Sequence, residues 1–440
     1  MQFGPVNESH ALHDVEEFMN KNQFSAAVSK VVSIAAIALI VALVLAPGAW
    51  AQGKYKILHK FTGPDGSDPI SALIADTAGN LYGTTTSGGC CLGRSGTVFK
   101  LAPNADGSWT HSLLYSFTGQ GDGDAVMSGV TLDAVGNLYG TTVWGGDYRG
   151  GTVYKLVPNS DGTWTEIVLH SFSGDDGWQV VGGLVFDTNG NLYGTTTQGG
   201  AYGYGIVFKL SPNSDGSWTE SVLHSFMGGT DGGYPDHGKL IFDATGNLYG
   251  VTAGWQTGAS NGTVFELTPN SDGTWTHLVL HSFGGGKDGV VAQGTLTIDQ
   301  AGSLYGTTLQ GGASGFGTVF QLTRGSDGKW TKSVIHQFHG GTDGSAPWAG
   351  VVFDAAGNLY GTTDAGGVGS CSDGSGTGCG TVFKLSPNGK GGLTKQTHRF
   401  LGTLAGNPLG EVLFDSAGNL YGTTSNQGTK GHGVVFEITP

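Results

Sequence analysis

The chain has 440 residues, of which 82 are glycine, while only 12% are Asp, Glu, Lys or Arg. The 38% of hydrophobic residues, including 21 Phe, 14 Tyr and 10 Trp, argue against a disordered glycine-rich linker and against collagen. The net charge of −14 and the lack of any Lys/Arg run argue against nucleic-acid binding, since phosphate neutralisation needs clustered cations. The composition favours an all-β fold with many tight turns.

The first element is a strongly apolar segment, residues 31–46. Its 16 residues are short for a membrane span, which takes about 20. Because Ala49 and Ala51 fit a signal-peptidase site, residues 1–51 are predicted to be a secretory signal peptide, with an uncleaved anchor as the alternative. Acidic residues precede Met19, which is unusual for a signal peptide, and we expect translation to begin at Met19.

A repeated pattern fills the rest of the chain, residues 52–440. The pentamer Leu-Tyr-Gly-Thr-Thr, or a one-residue variant, starts at Leu81, Leu138, Leu192, Leu248, Leu304, Leu359 and Leu420. A second motif, close to Gly-Thr-Val-Phe-Lys-Leu, starts at Gly96, Gly151, Gly205, Gly262, Gly317, Gly380 and Gly433. A third, close to Trp-Thr-x-x-x-Leu-His-Ser-Phe, starts at Trp109, Trp164, Trp218, Trp275 and Trp330. The sequence therefore contains seven units of about 55 residues.

Each unit is predicted to form four short strands, a to d. In the third unit these are residues 183–187, 192–196, 206–210 and 218–226. β-Branched and aromatic residues dominate them, and apolar residues of both parities in strands a and c predict burial on both faces. Gly190 and the recurrent Asp-Gly pairs supply the reversals between strands.

The two ends of the repeat region complement each other. The seventh unit has strands a, b and c but no d, whereas residues 55–61 match strand d and have no unit before them. The sequence therefore predicts one seven-bladed β-propeller of four-stranded antiparallel blades, closed by the N-terminal strand, which completes the last blade. The blades are expected at residues 62–117, 118–172, 173–226, 227–283, 284–338, 339–400, and 401–440 with 53–61.

The pattern L-Y-G-T-T…G-G…G-T-V-F-K-L resembles the GloVer tandem repeat of exported bacterial proteins, often described as choice-of-anchor. The resemblance covers nearly all of residues 53–440. It implies a secreted, periplasmic or extracellular location and no particular activity. The final residues GVVFEITP do not match the sorting anchor of that family. We expect a monomer without membrane association after signal cleavage.

The four cysteines fall in predicted b–c loops. Cys371 and Cys379 lie in a lengthened loop of blade six, and a disulfide is expected between them in an exported protein. A metal site is the alternative, which no C-x-x-C spacing supports. For Cys90 and Cys91, a vicinal disulfide and two thiols both remain open.

Residues that recur in every blade indicate architecture, because a reaction centre needs an asymmetric set of groups. We interpret the strand-d histidines, with Tyr115 in the same place in blade one, as packing or hydrogen-bonding groups: His59, His170, His224, His281, His336 and His398. The Asp of strand a, such as Asp187, Asp243 or Asp354, is interpreted as a turn acceptor. No metal or cofactor is expected. Calcium at the Asp-Gly links is the alternative, although none matches the EF-hand pattern.

Aromatic residues that break the repeat are the candidates for ligand contact. In propellers the d–a and b–c loops emerge on one face, and extra aromatics occur there. The candidates are Trp144, Tyr148, Trp178, Tyr202, Tyr204, Tyr234, Trp255 and Trp348. Large amphipathic rings suit a glycan or protein ligand, although we favour packing over the glycine-rich loops, which have no other side chains to cover them. Asp236 and His237 are a candidate acid–base pair, but we favour an exposed polar loop there.

Two functions follow. The preferred one is an exported, non-enzymatic recognition or surface module that binds a glycan or protein through this loop face. No G-x-S-x-G, H-E-x-x-H or P-loop is present, and no catalytic residue is assigned. The alternative is an enzyme acting on extracellular polysaccharide, a glycosidase or lyase, using carboxylates that meet at the channel mouth. Its candidate carboxylates are Asp124, Asp147, Asp176, Asp236 and Asp364.

Overall fold

A computed structural model of the chain describes residues 54–90, 95–254, 261–369, 371, 377–389, 392–402, 405–426 and 431–439. These residues form seven four-stranded antiparallel sheets, and no α-helix occurs among them, hence none that could cross a bilayer. The predicted seven-bladed β-propeller is confirmed. The predicted signal peptide and the expected start at Met19 lie outside the described residues.

The strands follow the repeat motifs. Strand a is β2 (Ile74–Ala75), β6 (Thr131–Leu132), β10 (Val185–Phe186), β14 (Ile241–Phe242), β18 (Thr297–Ile298), β22 (Val352–Phe353) and β26 (Leu413–Phe414). Strand b is β3 (Leu81–Thr85), β7 (Leu138–Thr142), β11 (Leu192–Thr196), β15 (Leu248–Thr252), β19 (Leu304–Thr308), β23 (Leu359–Thr363) and β27 (Leu420–Thr424). Strand c is β4 (Thr97–Pro103), β8 (Thr152–Pro158), β12 (Ile206–Pro212), β16 (Thr263–Pro269), β20 (Thr318–Arg324), β24 (Thr381–Pro387) and β28 (Val434–Thr439). Strand d is β5 (Trp109–Ser116), β9 (Trp164–Ser171), β13 (Trp218–Ser225), β17 (Trp275–Ser282), β21 (Trp330–Gln337), β25 (Leu393–Arg399) and β1 (Lys54–Lys60). Three short 3₁₀ turns, Gly229–Asp231, Gly286–Asp288 and Gly341–Asp343, lie in d–a loops.

The N-terminal strand closes the ring as expected. β1 pairs antiparallel with β28, with Lys54 opposite Thr439 and Lys60 opposite Val434. The sheet order is therefore β1-β28-β27-β26, and strand d of the seventh blade comes from the start of the described chain. Blade seven also bonds to blade one, since the hydroxyl of Thr423 donates to the Ser71 carbonyl at 2.9 Å.

Each position of the strand-b pentamer has a structural role, which blade one illustrates. Leu81 is buried, and the Tyr82 hydroxyl donates to the Asp76 carboxylate at 3.0 Å. That carboxylate also accepts from the a–b turn, so the Asp of strand a is the turn acceptor that the sequence predicts. The first threonine, Thr84, donates to the Ser128 carbonyl of the next blade at 2.7 Å.

The cores lie between neighbouring blades. One cluster joins Tyr193, Val207 and Phe226 of blade three to Leu240, Leu248, Phe265 and Leu267 of blade four, all buried. Strand c is largely buried on both faces, as its apolar residues of both parities predict, and so is strand b. The same expectation is wrong for strand a, whose residues Val185 and Phe186 are only partly buried. Each blade therefore becomes stable by packing against two neighbours, and the fold needs a closed ring.

Candidate functional site

The d–a and b–c loops of a blade lie against each other on one face, here called the loop face. Bridges join the two loops, for example Trp178 to Gln198 in blade three. In blade two Asp124 and Trp144 exchange two backbone hydrogen bonds, of 2.8 and 3.0 Å. The loop pairing holds the side chains of this face on a rigid backbone.

A pocket of about 600 Å³, the blade-two pocket, opens on the loop face. It is lined by Gly119, Gln120, Gly121, Asp124, Trp144, Gly145, Gly146 and Arg149. The Trp144 residue is 39% exposed. Asp124 Oδ1 is buried, and within the described part of the chain it has no hydrogen-bond partner. The pocket therefore combines an aromatic surface with a carboxylate, an amide and a guanidinium group.

Trp178 lies next to this pocket and supports it. Its ring is 6.4 Å from that of Trp144, centroid to centroid, in an edge-to-face arrangement. It also covers Gly150 of the blade-two b–c loop, where a Cβ would lie 2.9 Å from Trp178 Cε3. The structure thus brings two of the predicted aromatics together across two blades.

The remaining predicted aromatics divide into packing and exposed residues. Tyr204 and Tyr234 meet edge to face at 5.6 Å, and the Tyr204 ring covers Gly228, whose Cβ would lie 3.1 Å from it. Tyr148 and Tyr202 are exposed, by 60% and 57%. Trp255 lies outside the described residues. Tyr204 therefore packs over a loop glycine, which is the interpretation that the sequence favours.

A second cavity, of about 520 Å³, lies in the centre of the ring. Residues in and just before the strand a of all seven blades line it, which makes strand a the innermost strand. The wall is mainly aliphatic, with Leu73, Ile74 and Val130 as examples. Its polar side chains include His237, Lys239 and Glu411, beside the indole of Trp348. We call this space the channel cavity.

The expectation of an exposed polar loop at Asp236 and His237 is wrong for the aspartate. Asp236 is only 5% exposed, and it accepts a hydrogen bond from the Gln293 amide at 3.0 Å. His237 Nδ1 lies 2.8 Å from Asp236 Oδ1, and the imidazole meets the Trp348 ring edge to face at 5.1 Å. Packing against blade five and blade six buries a pair that the sequence places in a d–a loop.

Burial and pairing act on this pair in opposite directions. Burial by itself would raise the pKa of Asp236, but the His237 imidazole and the Gln293 amide lower it overall. Burial would lower the pKa of His237, and the adjacent carboxylate raises it above its ordinary value. The arrangement favours an imidazolium–carboxylate pair at the channel cavity.

The other candidate carboxylates have separate surroundings. Asp176 accepts hydrogen bonds from His170 and Ser173, and Asp364 is 1% exposed beside the Asn407 amide. Asp147 is exposed. Asp124 lines the blade-two pocket, whereas Asp236 adjoins the channel cavity through His237. These two carboxylates therefore do not belong to the same candidate site.

Cys371 and Cys379 form a disulfide. Both are buried, and their sulfurs lie beside Gly402, where a Cβ would be 2.8 and 2.5 Å from them. The disulfide therefore covers Gly402 of a d–a loop in the same way as the Tyr204 ring covers Gly228. The Cys90 amide donates to Ser116 Oγ at 2.8 Å, while Cys91 lies outside the described residues.

Sequence reasoning missed several polar residues of these two spaces. Gln120 and Arg149 line the blade-two pocket, and Lys239 and Glu411 line the channel cavity. A signal for Arg149 was present, because it is an arginine in a b–c loop of a chain with only 20 basic residues. Two groups of His and Asp residues at the outer strands could also hold a metal ion, His59–Asp65–His111 and His224–Asp231–His277.

These features define a seven-bladed β-propeller built from tandem repeats, with two candidate binding spaces. The chain belongs to the family described as the Gloeobacter/Verrucomicrobia repeat, whose model matches residues 48–258 and 236–440. This agrees with the resemblance inferred from the pentamer. No curated protein sequence matches the chain.

Solved structures share the architecture at low sequence identity. Polysaccharide lyase Uly1 is 11% identical with a TM-score of 0.50, over 88% of this chain and 92% of that one. PorZ, a surface component of the type-IX secretion system of Porphyromonas gingivalis, is 17% identical with a TM-score of 0.41, over 78% of this chain. The match spans only 44% of PorZ. A protein of unknown function from Dyadobacter fermentans is 11% identical with a TM-score of 0.41, over 88% of this chain and 98% of that one. At such identities the likeness concerns the fold alone.

Proposed function

We propose that the chain is an exported, non-enzymatic recognition module that binds a glycan through the blade-two pocket. The observation that carries this proposal is the 39% exposed Trp144 beside Asp124, whose buried Oδ1 has no partner in the described residues. An indole face packs on the apolar face of a sugar ring, while carboxylate, amide and guanidinium groups bond to its hydroxyls. Gln120 and Arg149 supply the latter two groups.

The pocket is held in shape before any ligand arrives. Backbone hydrogen bonds tie Trp144 to Asp124, and the ring of Trp178 lies against it. A site of this kind loses little conformational entropy on binding, which favours affinity from a small contact area. The neighbouring exposed Tyr202 does not line this pocket.

A glycan array tests the proposal with the tag-free full chain, Trp144→Ala and Asp124→Asn. Wild type is expected to bind a defined set of glycans, and each variant to lose at least about tenfold in affinity, or about 1.4 kcal/mol. The matched control is Tyr202→Ala, which removes a similarly exposed ring from the next blade and is expected to bind like wild type. Absence of glycan binding by wild type, or equal loss in the control, contradicts the proposal. Capture of a protein with the same Trp144 dependence would assign a protein ligand instead.

The channel cavity supports a second candidate, an enzyme acting on polysaccharide. The favouring observation is that His237, which is paired with Asp236, lines the same mainly aliphatic cavity as Lys239 and Glu411. Incubation with polysaccharides, followed by assays for reducing ends and for unsaturated products, tests it. Activity that is lost in Glu411→Gln or His237→Asn and kept in Trp144→Ala would favour the enzyme. Products at the level of buffer alone would remove it.

Export is part of the same proposal. The buried Cys371–Cys379 disulfide is of the kind that persists in oxidising compartments, and residues 31–46 have the apolar character of a signal sequence. Fractionation of the native cells is expected to place the chain outside the cytoplasm, and the purified chain is expected to be a monomer without bound nucleic acid or organic cofactor. Recovery from the cytoplasm with reduced cysteines would contradict this.

A further inference from the structure

A polar cluster occurs at the outer strands where one blade meets the next. It contains the strand-d His of one blade, the Asp of the following d–a loop, and a side chain near the start of strand d in the next blade. In the first interface these are His59, Asp65 and His111. Tyr115 takes the place of the His in blade one, and the link between blades six and seven has no Asp. The third member differs around the ring: His111, Glu166, Glu220, His277, Lys332, Lys395 and Tyr55. Chemically different side chains therefore occupy this third position around the ring.

At two interfaces the third member places a cation inside the cluster. Lys395 Nζ lies 2.7 Å from Asp343 Oδ1, 2.5 Å from the Asp343 carbonyl and 3.3 Å from His336 Nε2. Lys332 Nζ likewise contacts the carboxylate and the carbonyl of Asp288. The ammonium groups show that a carboxylate, a carbonyl and an imidazole of this cluster together hold a positive charge.

At two other interfaces a second imidazole replaces the ammonium. In the first, the His59 and His111 rings stack at 4.0 Å, and His59 Nε2 lies 2.9 Å from Asp65 Oδ2. His111 Nε2 is buried, with no hydrogen-bond partner in the described residues. The three ligand atoms lie within 4.8 Å of one another.

The fourth-blade cluster has the same composition. Asp231 lies 3.1 Å from His224 Nε2 through one carboxylate oxygen and 3.1 Å from His277 Nδ1 through the other. The side chains are 17%, 14% and 10% exposed for His224, Asp231 and His277. The imidazoles again stack, at 4.0 Å.

We propose that His59–Asp65–His111 and His224–Asp231–His277 are two divalent transition-metal sites, with Zn²⁺ as the ion they fit. Zinc bonds to imidazole nitrogen and carboxylate oxygen at about 2.0–2.2 Å, so two ligand atoms of a tetrahedral ion lie roughly 3.3 Å apart. The nitrogen–oxygen separations of 2.9 and 3.1 Å are close to this value, and the stacked imidazoles have to rotate until the plane of each ring contains the ion. The imidazole-rich ligand set excludes calcium, which takes oxygen ligands.

Both sites contain an imidazole nitrogen that is available to a metal. His111 Nε2 and His277 Nε2 are buried and have no hydrogen-bond partner in the described residues. Each ion would join two adjacent blades, and the first would tie the closing strand β1 to β5 of blade one.

Metal stoichiometry tests the proposal. The tag-free full chain is stripped with EDTA, dialysed against Zn²⁺ at pH 7.5, and assayed for bound metal and for thermal unfolding. Wild type is expected to bind two zinc ions more than the double variant His111→Lys/His277→Lys. Zinc is expected to raise the unfolding temperature of wild type and not that of the double variant.

The ring supplies matched controls. Lysine is the native residue at the equivalent place in the two Lys interfaces, so the double variant is expected to fold. If it does not, His111→Gln/His277→Gln serves in its place. Conversely, Lys332→His recreates the ligand set with His281 and Asp288 and is expected to bind one zinc ion more than wild type. Equal zinc content in wild type and the double variant overturns the proposal, as does no gain in Lys332→His.

Discussion

The glycine of the strand-b pentamer lies directly beneath an aromatic ring of strand c. A Cβ on Gly194 would lie 2.5 Å from Phe208 Cζ, and one on Gly83 would lie 2.6 Å from Phe99 Cζ. These rings are fully buried, so they cannot move away into solvent. The pentamer therefore needs a glycine because of this close approach and not because of its backbone conformation, since φ is not positive there.

Gly194→Ala is therefore expected to destabilise the fold by about 1–3 kcal/mol, the usual cost of overpacking a buried site. Urea unfolding measures the change. Gly183→Ala in the same blade is the control, because its Cβ would meet only Lys239 Cβ at an ordinary 3.4 Å. The second-site change Phe208→Leu should reduce the cost of Gly194→Ala. Additive effects of the two changes would contradict the packing explanation.

Two glutamates at blade interfaces make stability depend on pH. Burial and the charge of a nearby aspartate raise the pKa of Glu166 and of Glu220 to about 7. Between the ordinary value of 4.5 and about 7, the folded chain keeps protons that the unfolded chain releases. The contribution of these groups to the free energy of unfolding is therefore full below pH 4.5 and is lost as pH rises through 7.

Glu166→Gln/Glu220→Gln is expected to unfold at a higher temperature than wild type at pH 8, by on the order of a few degrees. The two proteins should coincide near pH 4, where both glutamates are protonated in either state. Differential scanning calorimetry across pH 4 to 8 provides the comparison. The same difference between the proteins at every pH would show that the carboxylates do not titrate as described.

At the scale of elements, motif spacing predicts strands well where hydrogen bonding follows the motif. β11 begins and ends where the pentamer predicts, at Leu192 and Thr196. Strand a is shorter than expected, with Val185–Phe186 in place of residues 183–187. It is the strand beside the channel, and only Val185 and Phe186 pair with β11.

The candidate site is less predictable because its contacts cross between blades. The loop positions of Trp144 and Trp178 follow from the repeat, but their contact does not. Nor does the burial of Asp236, which results from packing against Gln293 of the next blade. Repeat spacing places a residue on a loop, whereas only three-dimensional packing decides whether it faces solvent or a neighbour.

The closing strand is expected to be essential. Removing residues 1–61 deletes β1 and leaves β28 with an unpaired edge, which favours aggregation. This truncation should unfold at a clearly lower temperature and form larger species in size-exclusion chromatography. Removing residues 1–53 leaves β1 in place and serves as the control. Equal stability of the two truncations would contradict closure by this strand.

At the scale of the whole molecule, near-identical blades are joined by chemically different contacts. Three equivalent positions show this. Lys332 forms an ion pair with a loop Asp, His111 stacks on another imidazole, and Glu166 lies near the charge of an aspartate. The blade scaffold constrains the pentamer, whereas the outer interface accommodates an imidazole, a carboxyl or an ammonium group beside the loop Asp. Variation at these interfaces and on the loop face is therefore where members of such a fold can differ without losing the ring.

The ring is closed by a blade whose strands come from both ends of the described chain. A permuted chain whose ends meet in another blade should close in the same way. Lys54 and Thr439 are opposite each other, so a two-residue Asn-Gly turn can join them as a hairpin. New ends between Ser214 and Ser217, in the exposed c–d turn of blade three, make β13 the first strand and β12 the last. This permutant is expected to unfold within a few degrees of wild type. A second permutant has the same Asn-Gly join but new ends between Gly228 and Gly229, in a d–a loop. Its first and last strands then belong to different blades, so no blade combines strands from both ends, and the unfolding temperature should fall. Calorimetry of the two permutants separates them, and equal stability would show that strand sharing contributes nothing to closure.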